Sequence, residues 1–275
     1  MSRKVMITVA PVARVANPDD DVINPLTPED IAEEVFECTR AGASQVHLHV
    51  RQENGEITHL TDVYSRTLDL IRDKSDILIQ GSTGGFEKDL SLDERCSAID
   101  DNRTQVASLN MGSLNFGEDL IFKNPEVNIA YWAQRFYSRN VVPELEIFDA
   151  GMICTVKRFL EKGILKPPLN CNFPMGYYTG IQPTVESIIH MRNTLPEGCK
   201  FGITHNEMTD FSMVAASIAL GAVKARVGFE DSIYYAPHKK GRTNAVLVQK
   251  LAQLIEAMGC EVMSTAEARE LYGAK

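Results

Sequence analysis

The chain has 275 residues, 44% of them hydrophobic, which is enough to bury a core without disulfide or metal staples. Its formal charge of -9 and its lack of a basic run argue against nucleic acid or an anionic membrane as partner. No apolar stretch approaches the roughly 20 residues that a membrane-spanning helix needs.

The start of the chain, from Met1 to Ala10, is basic and then apolar, and it runs quickly into Asp19-Asp20-Asp21. That is too short for a secretory leader and reads as a first strand over 5–10. Thr27-Pro28-Glu29-Asp30 then carries a helix-start signature, with proline at the first helical position and an amphipathic run to Arg40. Ala41-Gly42 ends that helix before a second β-rich run over 45–50. Further β-rich runs follow at 77–80, 105–109, 144–148, 169–173, 200–204 and 222–227, which makes eight. Helical periodicity lies between them, over 62–73, 91–101, 125–139, 150–162, 184–193, 209–220 and 244–258, and a short extra helix fits 266–271. Strands that alternate with helices predict parallel pairing, and eight such units predict a single (β/α)8 barrel domain spanning 1–275 rather than an open sheet. In such a barrel the chemistry sits at the C-terminal ends of the strands.

His47-Leu48-His49 lies at the end of the second run. Residues two apart on a strand share a face, so both imidazoles point to the same side and can hold one divalent ion such as zinc. The competing reading is a hydrogen-bonded pair of core histidines. The last strand runs into Arg226-Val-Gly-Phe-Glu230-Asp231, which offers Glu230 as a third ligand and Asp231 as a base. The alternative there is a pair of ordinary loop acids with Arg226 as their partner. After the third strand, Ser82-Thr83-Gly84-Gly85 forms a turn whose amides and hydroxyls suit an anion, or simply a tight strand-to-helix connection. Ser108, Asn110 and Asn115 follow the fourth strand. Glu144 and Glu146 share one face of the fifth, and Glu146 is placed to orient or activate a catalytic group. The six cysteines are scattered, with no Cys-x-x-Cys pair, and read as reduced, mostly buried thiols of a cytoplasmic protein.

Seven stretches together resemble the β-keto acid cleavage enzyme family. They are Pro25-Leu-Thr-Pro-Glu29, Ala41-Gly-Ala-Ser-Gln-Val-His-Leu-His-Val-Arg51, Gln80-Gly-Ser-Thr-Gly-Gly85, Ala107-Ser-Leu-Asn-Met-Gly-Ser-Leu-Asn-Phe-Gly117, Pro143-Glu-Leu-Glu-Ile-Phe-Asp149, Arg226-Val-Gly-Phe-Glu-Asp-Ser-Ile-Tyr234 and Asn244-Ala-Val-Leu-Val248. They run in family order over nearly the whole chain. The resemblance implies a zinc-dependent barrel enzyme in which a β-keto acid and acetyl-CoA exchange to give acetoacetate and a new acyl-CoA. It implies His47, His49 and Glu230 as zinc ligands, and Asp231 with Arg226 and Glu146 as the base assembly. Ser82, Gly85 and Ser108 match positions that contact the keto acid, with Thr83 in the same turn. A homo-oligomer, often a tetramer, is also implied.

The sequence departs from the family pattern in three places. Pro11-Val-Ala-Arg-Val15 puts Val15 where family members that take an amino keto acid carry an acidic residue, and Arg14 beside it suits a distal carboxylate. Gly202-Ile-Thr-His205, followed by Asn206, stands where the family often has Gly-Ile-Gly-Arg after the seventh strand, so that His205 and Asn206 alter the CoA or substrate side of the pocket, and Tyr177-Tyr178 replaces a glycine-rich loop after the sixth and narrows the mouth. Other readings are a metal-dependent C–C lyase or aldolase that does not use CoA, another divalent metal in place of zinc, or a hydrolase of the amidohydrolase type. The last uses His-x-His on the first strand, which here carries no histidine.

Overall fold

A computed structural model describes residues 2–84 and 90–274. Its centre is a closed barrel of eight parallel strands: β1 (Lys4–Val9), β2 (Gln45–Leu48), β3 (Leu78–Gly81), β4 (Val106–Asn110), β5 (Val142–Glu146), β6 (Asn170–Met175), β7 (Lys200–His205) and β8 (Lys224–Val227). Each strand pairs with its chain neighbours, and β8 returns to β1 with Thr8 beside Arg226, which closes the ring. The main helices are α1 (Pro28–Arg40), α2 (Thr61–Arg72), α3 (Leu92–Arg95), α4 (Glu126–Ser138), α5 (Ala150–Glu161), α6 (Val185–Thr194), α7 (Ser212–Ala219), α8 (Asn244–Ala257) and α9 (Thr265–Tyr272). Among the described residues, no helix is long and apolar enough to cross a membrane.

The helix starts follow local chemistry. Thr27 and Asp30 exchange side-chain and backbone bonds in a capping box at α1, and Ser264 with Glu267 does the same at α9. The outward faces of the strands pack against the helices in one apolar layer that includes Ile7, Val46, Ile79, Leu109, Leu145, Phe173 and Ile203. Burying such side chains stabilises each by about 1.5–3 kcal/mol. Cys38, Cys96, Cys171 and Cys260 are buried, whereas Cys154 is exposed.

Several boundaries differ from expectation. The helix expected over 91–101 is one α turn, α3, followed by a 3-10 turn at Ser97–Asp100. β5 begins at Val142 and ends at Glu146, so Ile147 and Phe148 lie beyond it. β2 ends at Leu48, and His49 stands just past the strand because Val50–Arg51 peels away to pair with Ile57–Thr58. Two further ribbons, Leu114–Asn115 with Ile121–Phe122 and Tyr234–Ala236 with Lys239–Lys240, follow β4 and β8. All three ribbons therefore rise from the C-terminal end of the barrel. The opposite end is plugged by α9, whose Ala268 and Tyr272 pack against Met6, Leu78 and Val106 inside the ring.

Candidate active site

Alternation along each strand turns a polar set into the barrel: His47 from β2, Gln80 from β3, Ser108 and Asn110 from β4, Glu146 from β5, Asn172 from β6, Thr204 from β7 and Arg226 from β8. Register puts His47 level with Gln80, Asn110 level with Glu146, and Glu146 level with Asn172. Of these, His47, Asn110, Glu146, Thr204 and Arg226 line a cavity of about 230 Å3 at the C-terminal mouth.

Three ligand atoms converge in that cavity. His47 Nε2 and His49 Nε2 each lie 3.8 Å from a Glu230 carboxylate oxygen. The three side chains present ligand atoms within 4.8 Å of one another. Glu230 Oε2 is buried and has no hydrogen-bond partner, although such atoms normally have one. A carboxylate with one orphaned oxygen beside the His47 nitrogen and its other oxygen beside the His49 nitrogen is a donor set that a divalent cation takes, so these residues fit a metal. Both imidazoles are kept neutral. Burial, and then the positive charge of Arg226, pushes His47 down to about 3, and burial also lowers His49. His47 Nδ1 lies 2.8 Å from Gln80 Oε1, an acceptor only. That assigns the ring proton to Nδ1 and leaves the Nε2 lone pair toward Glu230.

Glu230 is brought to the histidines by a tight chain reversal after β8. Gly228 adopts φ +142° there, and a Cβ on it would sit 2.2 Å from Ala10 O. The Glu230 amide donates to that same carbonyl at 3.1 Å. Asn244, fully buried at the start of α8, ties the turn down by accepting from Phe229 N at 2.8 Å and donating to Pro11 O at 3.1 Å.

Arg226 gathers the acids. Its Nε and Nη2 grip Asp231 at 2.8 and 2.9 Å in a bidentate fork. Nη2 also reaches Glu230 at 2.7 Å, and Nη1 stands 3.8 Å from Glu146. Three buried carboxylates around one guanidinium do not share its charge equally. Burial raises Glu146 to about 7 and Asp231 to about 6, the pull of Arg226 being the main opposing influence in each. Burial would raise Glu230 as well, but the Arg226 guanidinium beside it holds it well below the usual carboxylate range.

The other expected residues are placed unevenly. Ser82 lines the cavity beside Gly84. Thr83 and Ser108 turn toward each other instead: Thr83 N donates to Ser108 Oγ at 3.1 Å and Thr83 Oγ1 to Ser108 O at 2.6 Å. They brace the Ser82 turn from behind. Gly85 lies outside the described residues. Asp231 stands behind Arg226, whereas Glu146 faces the cavity. Arg14 reaches the far wall, with its guanidinium carbon 5.2 Å from the Tyr177 ring centre and 5.8 Å from that of Phe116, and Nη2 bonded to Asn206 at 3.2 Å. The departures at 14, 177 and 206 thus meet in one place.

Sequence reasoning gave no role to Gln80, Asn110, His59 or the aromatic side chains of Phe116, Phe122 and Phe148, which together with Tyr177 surround the cavity or its ligands. Asn110 had a signal: it follows Ser108 by two residues and so shares its inward face. Both polar atoms of its side chain are buried without partners. Gln80 had none, because only cross-strand register brings it to His47.

A sequence model of the beta-keto acid cleavage enzyme family, BKACE, matches residues 4–273. The 3-keto-5-aminohexanoate cleavage enzyme of Fusobacterium nucleatum is 32% identical over 276 residues, covering 100% of both chains. A 3,5-dioxohexanoate:acetyl-CoA acetone transferase of Paraburkholderia graminis is 29% identical over 301 residues, covering 99% of this chain and 96% of that one. Among solved structures, ObcA in binary complex with oxaloacetate superposes with a TM-score of 0.78 at 18% identity, covering 91% of this chain and 67% of ObcA, a likeness of fold. From the match across almost its whole length and the full-length identity to a cleavage enzyme, this chain belongs to the beta-keto acid cleavage enzyme family.

Proposed function

We propose that this enzyme condenses a β-keto acid with acetyl-CoA and releases acetoacetate and a new acyl-CoA, using a zinc ion held by His47, His49 and Glu230. The observation that carries the reading is the convergence of those three ligand atoms in one cavity with Arg226 and two carboxylates raised toward neutrality. The transferase name of the Paraburkholderia relative supports acetyl-CoA as the second substrate. Zinc bound there would supply Lewis acidity that polarises the substrate ketone and makes its neighbouring carbon more acidic.

The chain's own groups do the rest. Asp231, with Arg226 and Glu146, forms the assembly that takes the proton from the carbon between ketone and carboxylate. That carbon then bonds to the acetyl carbon, and the CoA thiolate leaves. Arg226 and the Ser82 turn are placed to steady the oxyanions that develop. The thiolate adds to the original ketone carbon, and the bond from that carbon to its neighbour breaks. The carbanion released takes back the proton and becomes acetoacetate.

The aromatic wall excludes water from the distal part of the substrate, and Arg14 at its end favours a distal carboxylate over an amine. A cytoplasmic homo-oligomer goes with this reading, and light scattering on the purified enzyme measures its size. The deciding experiment offers a panel of β-keto acids to zinc-loaded enzyme with and without acetyl-CoA and follows acyl-CoA by mass. New acyl-CoA is expected only when both substrates are present. Cleavage without acetyl-CoA refutes the exchange and favours a CoA-independent lyase.

A further inference from the structure

Arg95, the last residue of α3, takes no part in the reaction above, yet its side chain reaches the wall of the active site. It is buried to 8% exposure. Two aromatic rings flank its guanidinium carbon, Trp132 from α4 with its ring centre at 4.4 Å and Phe122 from the cavity wall at 5.3 Å. Trp132 is itself fixed, since its Nε1 donates to Leu92 O at 2.9 Å. Among the described residues, the hydrogen bonds of Arg95 end on neutral oxygens. Nη1 donates to Lys123 O at 2.8 Å, and Nη2 donates to Asn124 Oδ1 at 2.9 Å and to Thr83 O at 3.1 Å.

The last of these bonds reaches the Ser82 turn. Thr83 already commits its amide and its hydroxyl to Ser108, so Arg95 fixes the polar group of that residue that is left. The Thr83–Gly84 peptide is trans, and the carbonyl and N–H of a planar trans peptide point in opposite directions. With the carbonyl held on Arg95, the Gly84 N–H turns the other way and donates to Ser82 Oγ at 3.1 Å. A hydroxyl that accepts one bond keeps its own proton to give. Ser82 and Gly84 both line the cavity, so that proton is available to an anion inside it. Without the Arg95 bond the peptide is free to flip. A flipped peptide presents its carbonyl to Ser82 Oγ and draws the hydroxyl proton back into the turn.

We propose that Arg95 is a positioning residue: by pinning the Thr83 carbonyl it keeps Ser82 a hydrogen-bond donor to the carboxylate of the bound keto acid. A lysine would keep the charge but not the planar fork that stacks against two rings and serves three acceptors. That the anion is a β-keto acid rests on the reading above; the orientation of the peptide does not.

The test is a double-mutant cycle on full-length, zinc-loaded protein. The probe is acetoacetate, which carries a ketone and a carboxylate one carbon apart. Calorimetry reads its Kd in wild type, Ser82→Ala, Arg95→Met and the double variant, and dye competition reads the zinc Kd of each. Expected are an acetoacetate Kd raised roughly tenfold or more in Ser82→Ala, a similar rise in Arg95→Met, and no further rise in the double variant, with zinc Kd unchanged throughout. A residue that merely braces the fold would act independently of Ser82, so losses that multiply in the double variant overturn the proposal. So does a loss of acetoacetate binding that tracks a loss of zinc. A Ser82→Ala protein that binds acetoacetate as wild type does overturns it whether or not any Arg95 variant folds, as does a wild type that binds none. If Arg95→Met does not fold, Arg95→Lys takes its place, with a smaller rise expected that vanishes in the Ser82→Ala background; an unchanged Kd in folded Arg95→Lys then overturns the proposal. The keto acid panel decides the exchange reaction separately. If it yields no acyl-CoA, that reading fails, while a coupled loss of acetoacetate binding still upholds the role of Arg95.

Discussion

The turn that delivers Glu230 to the histidines can be broken with a single methyl group. In Gly228→Ala the new Cβ would lie 2.2 Å from Ala10 O and 2.6 Å from Ala10 C, while ordinary contact starts at 3.4 Å. The neighbour is backbone, so β1 and the turn must part by roughly 1 Å, since close-packed interiors do not absorb such an overlap. The position also has φ +142°, which side chains rarely adopt, a strain of about 1–3 kcal/mol. Parting the chains stretches the bond from Glu230 N to Ala10 O, at a further cost of about 1 kcal/mol. The sum is roughly 2–4 kcal/mol, which at about 2–4 °C per kcal/mol lowers Tm by roughly 5–15 °C. Because the strain falls two residues from a ligand, zinc affinity drops along with stability, by roughly tenfold or more for a displacement of this size. Scanning calorimetry of metal-free protein and dye competition for zinc measure the two effects. A variant that melts within about 2 °C of wild type and binds zinc equally well shows that the close approach at Gly228 does not hold Glu230 in place.

Three further outcomes follow from the charges and orphaned groups of the site. Arg226→Met leaves Glu146, Glu230 and Asp231 buried around no cation, so urea denaturation should show a loss of about 3–5 kcal/mol; adding Asp231→Asn should recover part of it, and no recovery would mean that the fork is not the stabilising contact. Glu146 is raised in the folded state from 4.5 to about 7, so the folded chain binds its proton more tightly than the unfolded chain does. Its contribution is fully present below pH 4.5 and is lost as pH rises through about 7, an effect on the order of 3 kcal/mol. Metal-free wild type should therefore lose stability relative to Glu146→Gln across that window, and parallel stability curves would count against the shift. Asn110→Ala removes an amide whose two polar atoms face the cavity unpartnered, and KM for the keto acid should rise roughly tenfold with zinc affinity unchanged; an unchanged KM would show that the amide does not touch substrate.

The barrel was legible from its rhythm. Eight β-rich runs alternating with helical ones left little choice of architecture, and Thr27-Pro28 and Asn244 marked helix starts that the structure retains. Spacing placed His47 and His49 together, and motif order supplied Glu230, Arg226 and Asp231. Local signals failed where the chain departs from its own periodicity. The run at 91–101 has helical spacing but folds as two single turns, because Cys96 breaks the geometry between them. Ser108 and Thr83 carry hydroxyls suited to a substrate, yet each satisfies the other.

What the sequence determined by itself was therefore periodic or covalently near: which face a residue takes, where a helix starts, and that two histidines share a side. What the tertiary structure alone decided depends on strands far apart in the chain. Closure between β1 and β8 brings Glu230 to within 3.8 Å of imidazoles some 180 residues earlier. Register places Gln80 beside His47, and the C-terminal helix reaches through the barrel floor to Glu144. Hydrogen bonds and charge act over a few ångströms, so the proton on His47 and the charge on Glu146 are set by neighbours that no local stretch of sequence contains.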